Sequence, residues 1–591
     1  MAIETAHFVR AAPVDDVRKA GCHVVQLEGH TIALFARDGQ IHAIDNRCPH
    51  MGFPLHRGTV RDGILTCHWH HARFDLSSGG TFDPWADDVR VFPVEVRGGE
   101  VWVDLAPRVD SRAHHRDRLR DGLERNLSLV IAKNAIALVG GGEGPVLPFR
   151  TGLEFGTTYR RDGWGQGLTI HACMMNLLPA LDPEDRPLAL YHGLTAIAGN
   201  SDGAAPRFPL RPLPGSTADA ATLKQWFRQF VEVRDAEGAE RCIASAVQAG
   251  ADHRVLADML FAAATDHRYI ETGHVLDFTN KAFEALDVAG WDHAELVLTS
   301  LATAYAGADR MEESNAWRHP VDVVDILERA FEALPGAVEA GRARRGSGTG
   351  HAVLTPVLLG EDAQAIADAL LEALRRGATE TDLAGAVAYA AALRIARFPT
   401  SNEFGDWDTA LHTFTFANAV HQGLRRAPSV ELLRGVFDAA MSLHLDRFLN
   451  VPPVRLPEPE AGASKLAGEE GERMLADLAA LLDRQQQVNE AGRLVAHYLY
   501  SGGNADRLIA ALGRALLRED RNFHTIQMVE AAARQFTDLR RSADGGAPDG
   551  VPVLVAAARY LAAHAPTVRA QGQTYRIAQR LHRGERLFED E

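Results

Sequence analysis

The rhythm of apolar and polar positions changes once along this chain. From about residue 5 to 105, short β-branched and aromatic runs (CHVVQLEG, HTIALFAR, GQIHAIDN, VRVFPVEVRG and GEVWVDL) are separated by Gly, Asp and Asn. That texture predicts the strands of a small antiparallel barrel or sandwich, and RGGE between the last two runs reads as a hairpin turn. After Pro107 the chain becomes rich in Ala, Leu and Arg, starting with SRAHHRDRLRDGLERNLSLVIAK, and apolar residues recur at i, i+3 and i+4. The remainder therefore reads as helical. The expected fold class is multidomain: an all-β domain over 1–107, a linker and lead-in helix over 108–150, and a large all-α domain over 151–591.

Loops are expected at GGGEGP (140–145), 199–216, RARRGSGTG (342–350), PPVRLPEPEAGAS (452–464) and SADGGAPDGVP (542–552), with helical hairpins between them. Two segments, GWDHAELVLTSLATAYAG (290–307) and DWDTALHTFTFANAVHQG (406–423), resemble each other faintly. A degenerate repeat of this kind suggests a solenoid-like stack of helix pairs. GGGEGP looks like a phosphate-binding glycine loop, yet no βαβ unit or second-strand acid follows, so it is read as a plain loop.

At 591 residues the chain exceeds one hydrophobic core. A net charge of −16 without a Lys/Arg block argues against a nucleic-acid partner. No apolar run is long enough to span a bilayer and MAIETAHFVRAAPVDD has no h-region, so no membrane association and a cytoplasmic location are expected. The five cysteines, Cys22, Cys48, Cys67, Cys173 and Cys242, show no disulfide spacing, which suits a reducing compartment.

Chemistry concentrates in CPHMGFPLHRGTVRDGILTCHWH. Cys48-x-His50 and Cys67-x-x-His70 each supply one thiolate and one imidazole. A Rieske-type [2Fe–2S] cluster needs two thiolates on one iron and two neutral imidazoles on the other, and two pinched loops can clamp it. A Cys₂His₂ zinc finger instead pairs like ligands. With the following ARFDLSSGGTFDP, the stretch resembles Rieske ferredoxins and the Rieske domains of bacterial oxygenases over about one hundred residues. Neither loop has an extra cysteine, which implies the lower-potential, oxygenase-associated kind of cluster. His42, His56, His68 and His71 fall outside the ligand spacing and are expected to face solvent or support the ligands.

A low-potential cluster fused to nearly five hundred residues suggests an electron consumer on the same chain. An ordinary Rieske oxygenase would continue with a mixed α/β domain and an Asp-x-x-His-x₄₋₅-His motif. TDHRYIETGH (265–274) instead spaces His267 and His274 seven apart in helical surroundings, which excludes it. LTIHACMMNLLPAL (His171), IETGHVLDFTNKAFEALD (His274), ALHTFTFANAV (His412) and NFHTIQMVEAAARQF (His524) resemble segments of the questin-oxidase-like family of helical non-haem iron proteins, over about 150–575. That resemblance implies a mononuclear Fe(II) held by His171, His274, His412 and His524. Imidazoles from different helices can converge in a bundle core. Where family members offer a lysine one turn after the last histidine, this chain has Gln527. His192, His351 and His497 compete as ligands, and Asp277 or Glu530 could add a carboxylate.

The expected function is a Rieske-coupled non-haem iron oxygenase, with the cluster passing electrons to the His-ligated iron. By resemblance, its substrates are dioxygen and an aromatic or polycyclic organic molecule. No catalytic acid, base or nucleophile is assigned. Without a flavin or nicotinamide fingerprint, electrons must come from a separate NAD(P)H-dependent reductase or ferredoxin. The alternative is a Rieske ferredoxin-like carrier whose helices form a protein-binding scaffold.

Overall fold

The computed structural model describes residues 6–106, 111–346, 350–459, 466, 468–542, 550–585 and 587. The expected boundary at Pro107 and parts of the loops expected at 342–350, 452–464 and 542–552 lie outside them. The chain divides into two compact units, one of residues 1–152 with 570–591 and the other of 153–569.

Among the described residues of the first unit, ten strands form three small antiparallel sheets: β1 (Phe8–Pro13), β2 (Cys22–Leu27), β3 (His30–Arg37), β4 (Gln40–Asp45), β5 (Thr59–Arg61), β6 (Ile64–Thr66), β7 (Arg73–Asp75), β8 (Val91–Phe92), β9 (Val94–Arg97) and β10 (Glu100–Asp104). They are ordered β1-β10-β9, β2-β3-β4-β8 and β5-β6-β7. Four hairpins turn on two residues, Glu28-Gly29, Asp38-Gly39, Asp62-Gly63 and Gly98-Gly99, all at positive φ. Left-handed turns match the twist of the flanking strands, which explains the X-Gly punctuation of the sequence. The unbroken apolar run of β3 also follows from its place: Ile32 and Leu34 enter one core, Ala33 and Phe35 the other. The second core contains Cys48 and Cys67, so the candidate cluster loops are anchored in it.

The stretch expected as a linker and lead-in helix holds two helices, Ser111–Glu124 and Ser128–Leu138, packed on each other. The last helix, Ala570–His582, packs on Ser128–Leu138 and belongs to the β-containing unit instead of the expected 151–591 domain. Local periodicity gives a helix's apolar stripe but not the partner that covers it.

The second unit is all-helical among its described residues. Asp219, Asp235, Asp252, Asp362, Ser429 and Asn504 cap helix N-termini through their side chains, each satisfying an otherwise orphaned amide. Sequential hairpins occur, such as Gln166–Leu177 on Arg186–Ser201 and Glu380–Ala396 on Phe404–Arg426. Helices far apart in sequence also pack together. Gln166–Leu177, His274–Ala289, Phe404–Arg426 and Phe523–Ser542 contact one another in a closed ring. That ring departs from the nearest-neighbour stacking of a solenoid. No helix among the described residues is long and apolar enough to cross a membrane.

Candidate metal centres

The two cluster loops are built alike. The amide of Gly52 donates to the carbonyl of Cys48 at 2.7 Å, and that of His71 to the carbonyl of Cys67 at 3.0 Å. Gly52 (φ 79°) and His71 (φ 63°) take the left-handed conformation at equivalent places. The Cys48 amide donates to Phe53 O and the Cys67 amide to Ala72 O, each at 2.8 Å. Both sulfurs are buried and hydrogen-bond each other. The bond from Cys48 pulls the Cys67 thiol below its usual range, against burial, with help from the Trp69 and His70 amides.

The His50 and His70 rings lie 4.8 Å apart, nearly perpendicular. Trp85 packs on His50 at 4.7 Å and Trp69 on His70 at 4.5 Å. Burial, then the neighbouring His70 and Lys133, lowers His50 to about 4, favouring the neutral ring that a cluster iron binds. His50 Nδ1 is buried without a hydrogen-bond partner among the described residues. Paired sulfurs, adjacent imidazoles and an orphaned ring nitrogen fit a [2Fe–2S] group. Of the nearby histidines, His56 is bonded to Asn46 at 2.9 Å and His68 to Thr59 at 2.5 Å.

The ring of four helices brings together three of the four predicted iron ligands. One nitrogen from each of His274, His412 and His524 lies within 4.8 Å of the other two. His412 Nε2 and His524 Nε2 are 3.0 Å apart, and the His274 ring is 4.7 Å from that of His412. All three are half-buried. Burial, then the neighbouring imidazoles, lowers His274 to about 3 and His412 to about 4, so both are neutral donors.

His274 opens its helix after an unusual approach in which Tyr269, Glu271, Thr272 and Gly273 all have positive φ. Such backbone is costly for non-glycine residues, and it is pinned here. The Glu271 amide donates to Asp309 O at 2.7 Å, while the Asp309 amide donates back to the Glu271 carboxylate at 2.8 Å. Gly273 has φ 93°, and a Cβ there would meet Phe416 Cβ at 2.8 Å.

His171 does not join the group. It is buried on Gln166–Leu177 against Gly193 of the following helix, where a Cβ would come within 2.5 Å of its Nδ1. The helix belongs to the ring, but this residue lies in its hairpin seam. His267 pairs with Glu312 at 2.7 Å, His192 with Leu517 O at 3.0 Å, His351 packs on Tyr389 at 4.5 Å, and His497 is exposed.

The sequence reading missed Asp408, one turn before His412. Its carboxylate lies 3.2 Å from His524 Nδ1 and accepts from Tyr560 Oη at 2.5 Å. Despite burial, the bonds from His524 and Tyr560 hold its pKa down. A carboxylate behind a histidine fixes the ring's tautomer and raises its basicity toward a metal. The signal was Asp-x-x-x-His, an i, i+4 pair on one helix face.

The expected carboxylates, Asp277 and Glu530, are engaged elsewhere. Gln527 donates to Asp277, and Lys281 and Asn176 bind Glu530 at 2.7 and 2.9 Å. Burial pushes Asp277 up to about 7. Phe278 and Phe523 flank His274 at 5.3 and 5.7 Å. A cavity of about 440 Å³ is lined by Phe404, Arg521, Asn522, Thr525 and His564 among others, beside His524 in the chain.

Residues 7–93 match the family described as Rieske [2Fe-2S] domain. The ferredoxin component of the alkene monooxygenase system of Xanthobacter autotrophicus is 31% identical over 101 residues, 17% of this chain and 83% of that protein. Apoptosis-inducing factor 3 of Homo sapiens is 28% identical over 190 residues, 30% of this chain, and the chain spans only 29% of that relative's length. The solved ferredoxin of carbazole 1,9a-dioxygenase from Nocardioides aromaticivorans IC177 is 26% identical, covering 16% of this chain and 96% of its own, with a TM-score of 0.16. The ligand spacing, the twin loops, the family match over residues 7–93 and the Xanthobacter relative agree that, through its N-terminal residues, the chain belongs to the Rieske [2Fe-2S] family.

Proposed function

We propose that this chain is a Rieske-coupled non-haem iron oxygenase acting on an aromatic or polycyclic organic molecule. The observation behind this reading is the convergence of His274, His412 and His524 within 4.8 Å in a chain with a Rieske unit. When bound, the cluster at Cys48, His50, Cys67 and His70 supplies electrons singly, and an Fe(II) at the three imidazoles supplies dioxygen chemistry.

The chain's own residues have separate tasks in this scheme. Three imidazole donors bring no negative charge, so they leave the metal's charge uncompensated and its remaining positions open, favouring an anionic or phenolic ligand. Asp408 orients His524. Phe278 and Phe523 form an apolar wall beside His274, and the cavity lined by Phe404 and His564 has the size of a small-molecule site. The substrate class rests on the resemblance of the helical segments to the questin-oxidase-like family. Electrons come from a separate NAD(P)H-dependent reductase or ferredoxin.

Iron and acid-labile sulfide measured on the purified full chain test the reading. Three irons per two sulfides are expected. Two irons per two sulfides would overturn it in favour of an electron carrier with a helical scaffold.

A further inference from the structure

Helix Ser128–Leu138 lies beyond the family match and is apolar apart from Ser128, Lys133 and Asn134, with most of its residues buried. Lys133 Nζ donates to the carbonyl oxygen of Pro49 at 2.8 Å. Pro49 separates the ligands Cys48 and His50, so the ammonium is bonded to the backbone of the cluster loop itself. The same ammonium lies 3.1 Å from Asp87 Oδ2. Asp87 Oδ1 accepts from Arg118 Nε at 2.8 Å, and Arg118 Nη2 donates to Pro84 O at 2.9 Å. Lys133, Asp87 and Arg118 are 17%, 9% and 10% exposed at their side chains. Asp87, Asp88 and His114 have the spacing of a metal group. Two cations already engage both Asp87 oxygens, so the cluster of charges is an ion-pair network.

We propose that Lys133 is a positioning residue that raises the reduction potential of the [2Fe–2S] cluster. Reduction adds one negative charge to the group held by Cys48, His50, Cys67 and His70. A fixed, largely buried ammonium bonded to the peptide between two of these ligands stabilises that charge, with little screening by solvent. Asp87 opposes it, and Arg118 partly offsets Asp87. Lys133 and Asp87 therefore act in opposite directions on the same group. The inference rests on the Rieske assignment and is independent of the iron proposed in the helical unit.

The test is a spectroelectrochemical titration of the full chain, with the visible bands and the EPR signal of the reduced cluster confirming that it is intact. Lys133→Met should disfavour reduction about tenfold, a shift of about 59 mV downward for a one-electron couple. Lys133→Arg should restore most of the potential, and Asp87→Asn should move it upward. Unchanged potentials in Lys133→Met and Asp87→Asn, or shifts of the same sign in both, would overturn the proposal. If Lys133→Met does not load the cluster, Asp87→Asn decides: an upward shift supports the inference, and no shift defeats it. The iron-to-sulfide ratio keeps this outcome apart from the oxygenase reading. A ratio of one would end that reading without moving the potentials.

Discussion

The β-containing unit and the helical unit assemble their candidate metal sites by opposite routes. In the first, four ligands come from two short loops, each closed by its own backbone hydrogen bonds and each ending in a left-handed residue, Gly52 or His71. In the second, His274, His412 and His524, each more than a hundred residues from the next, come from three helices, and their meeting depends on how a ring of helices packs. Loop geometry is local, so its ligand spacing is written in the sequence. A helix ring is not, and its ligands emerge only when distant apolar stripes find their partners.

The largest expected effect breaks the two sites apart. Cys67→Ala should abolish the Rieske spectrum and spare the iron proposed for the helical unit, whereas His274→Ala should remove that proposed iron and leave the spectrum unchanged. Loss of both signals in either variant would mean that the sites are not independently formed. Next, Asp408→Asn should weaken metal binding at the three imidazoles 10- to 100-fold, the usual cost of losing a carboxylate behind a histidine ligand, read by competition with a chelator.

Gly273→Ala sharpens the contrast through the backbone. A Cβ 2.8 Å from Phe416 Cβ at φ 93° should cost about 2 kcal/mol of stability in urea unfolding and lower metal occupancy with it.

Acid probes the metal-free ring. Folding lowers His274 to about 3 and His412 to about 4, whereas unfolded histidine titrates near ~6.5. The unfolded state therefore binds more protons across this window. Stability should be full above pH ~6.5 and fall as the pH drops toward ~4, by at most about 1.4 kcal/mol per pH unit for each imidazole. A flat urea midpoint over that range would show that the imidazoles are solvated. The smallest effect is expected for His56→Ala. Losing its contact with Asn46 should cost about 1 kcal/mol and leave the cluster's optical spectrum intact.

Much of the first unit was legible. Its strands and the RGGE hairpin follow from short-range pattern, and the spacing of Cys48, His50, Cys67 and His70 singles out side chains that the fold brings together. The change to helix after Pro107 was equally plain, because a 3.6-residue period is a local property. Other features were not. His171 sits on an apolar helix like the three converging histidines, yet it falls in a seam with Gly193, and only packing distinguishes the two faces. Asp408 was visible as an i−4 neighbour of His412, but it supports His524 from a helix far away in sequence. Helix Ala570–His582 has an ordinary amphipathic pattern that says nothing about which unit it completes.

That last helix has a consequence for the order of synthesis. Arg47, next to the candidate ligand Cys48, donates to the carbonyl of Leu581 at 3.0 Å, and Leu581 lies 3.3 Å from where a Cβ on Gly52 would sit. On the ribosome the two sides of this contact appear more than five hundred residues apart, and at about 5–20 residues per second that is a delay of roughly half a minute or more. The twin loops exist early, but the surface that braces one of them arrives only after the whole helical unit has been made. Nascent chains should therefore hold the cluster loop open to solvent and to assembly factors until Ala570–His582 has been made.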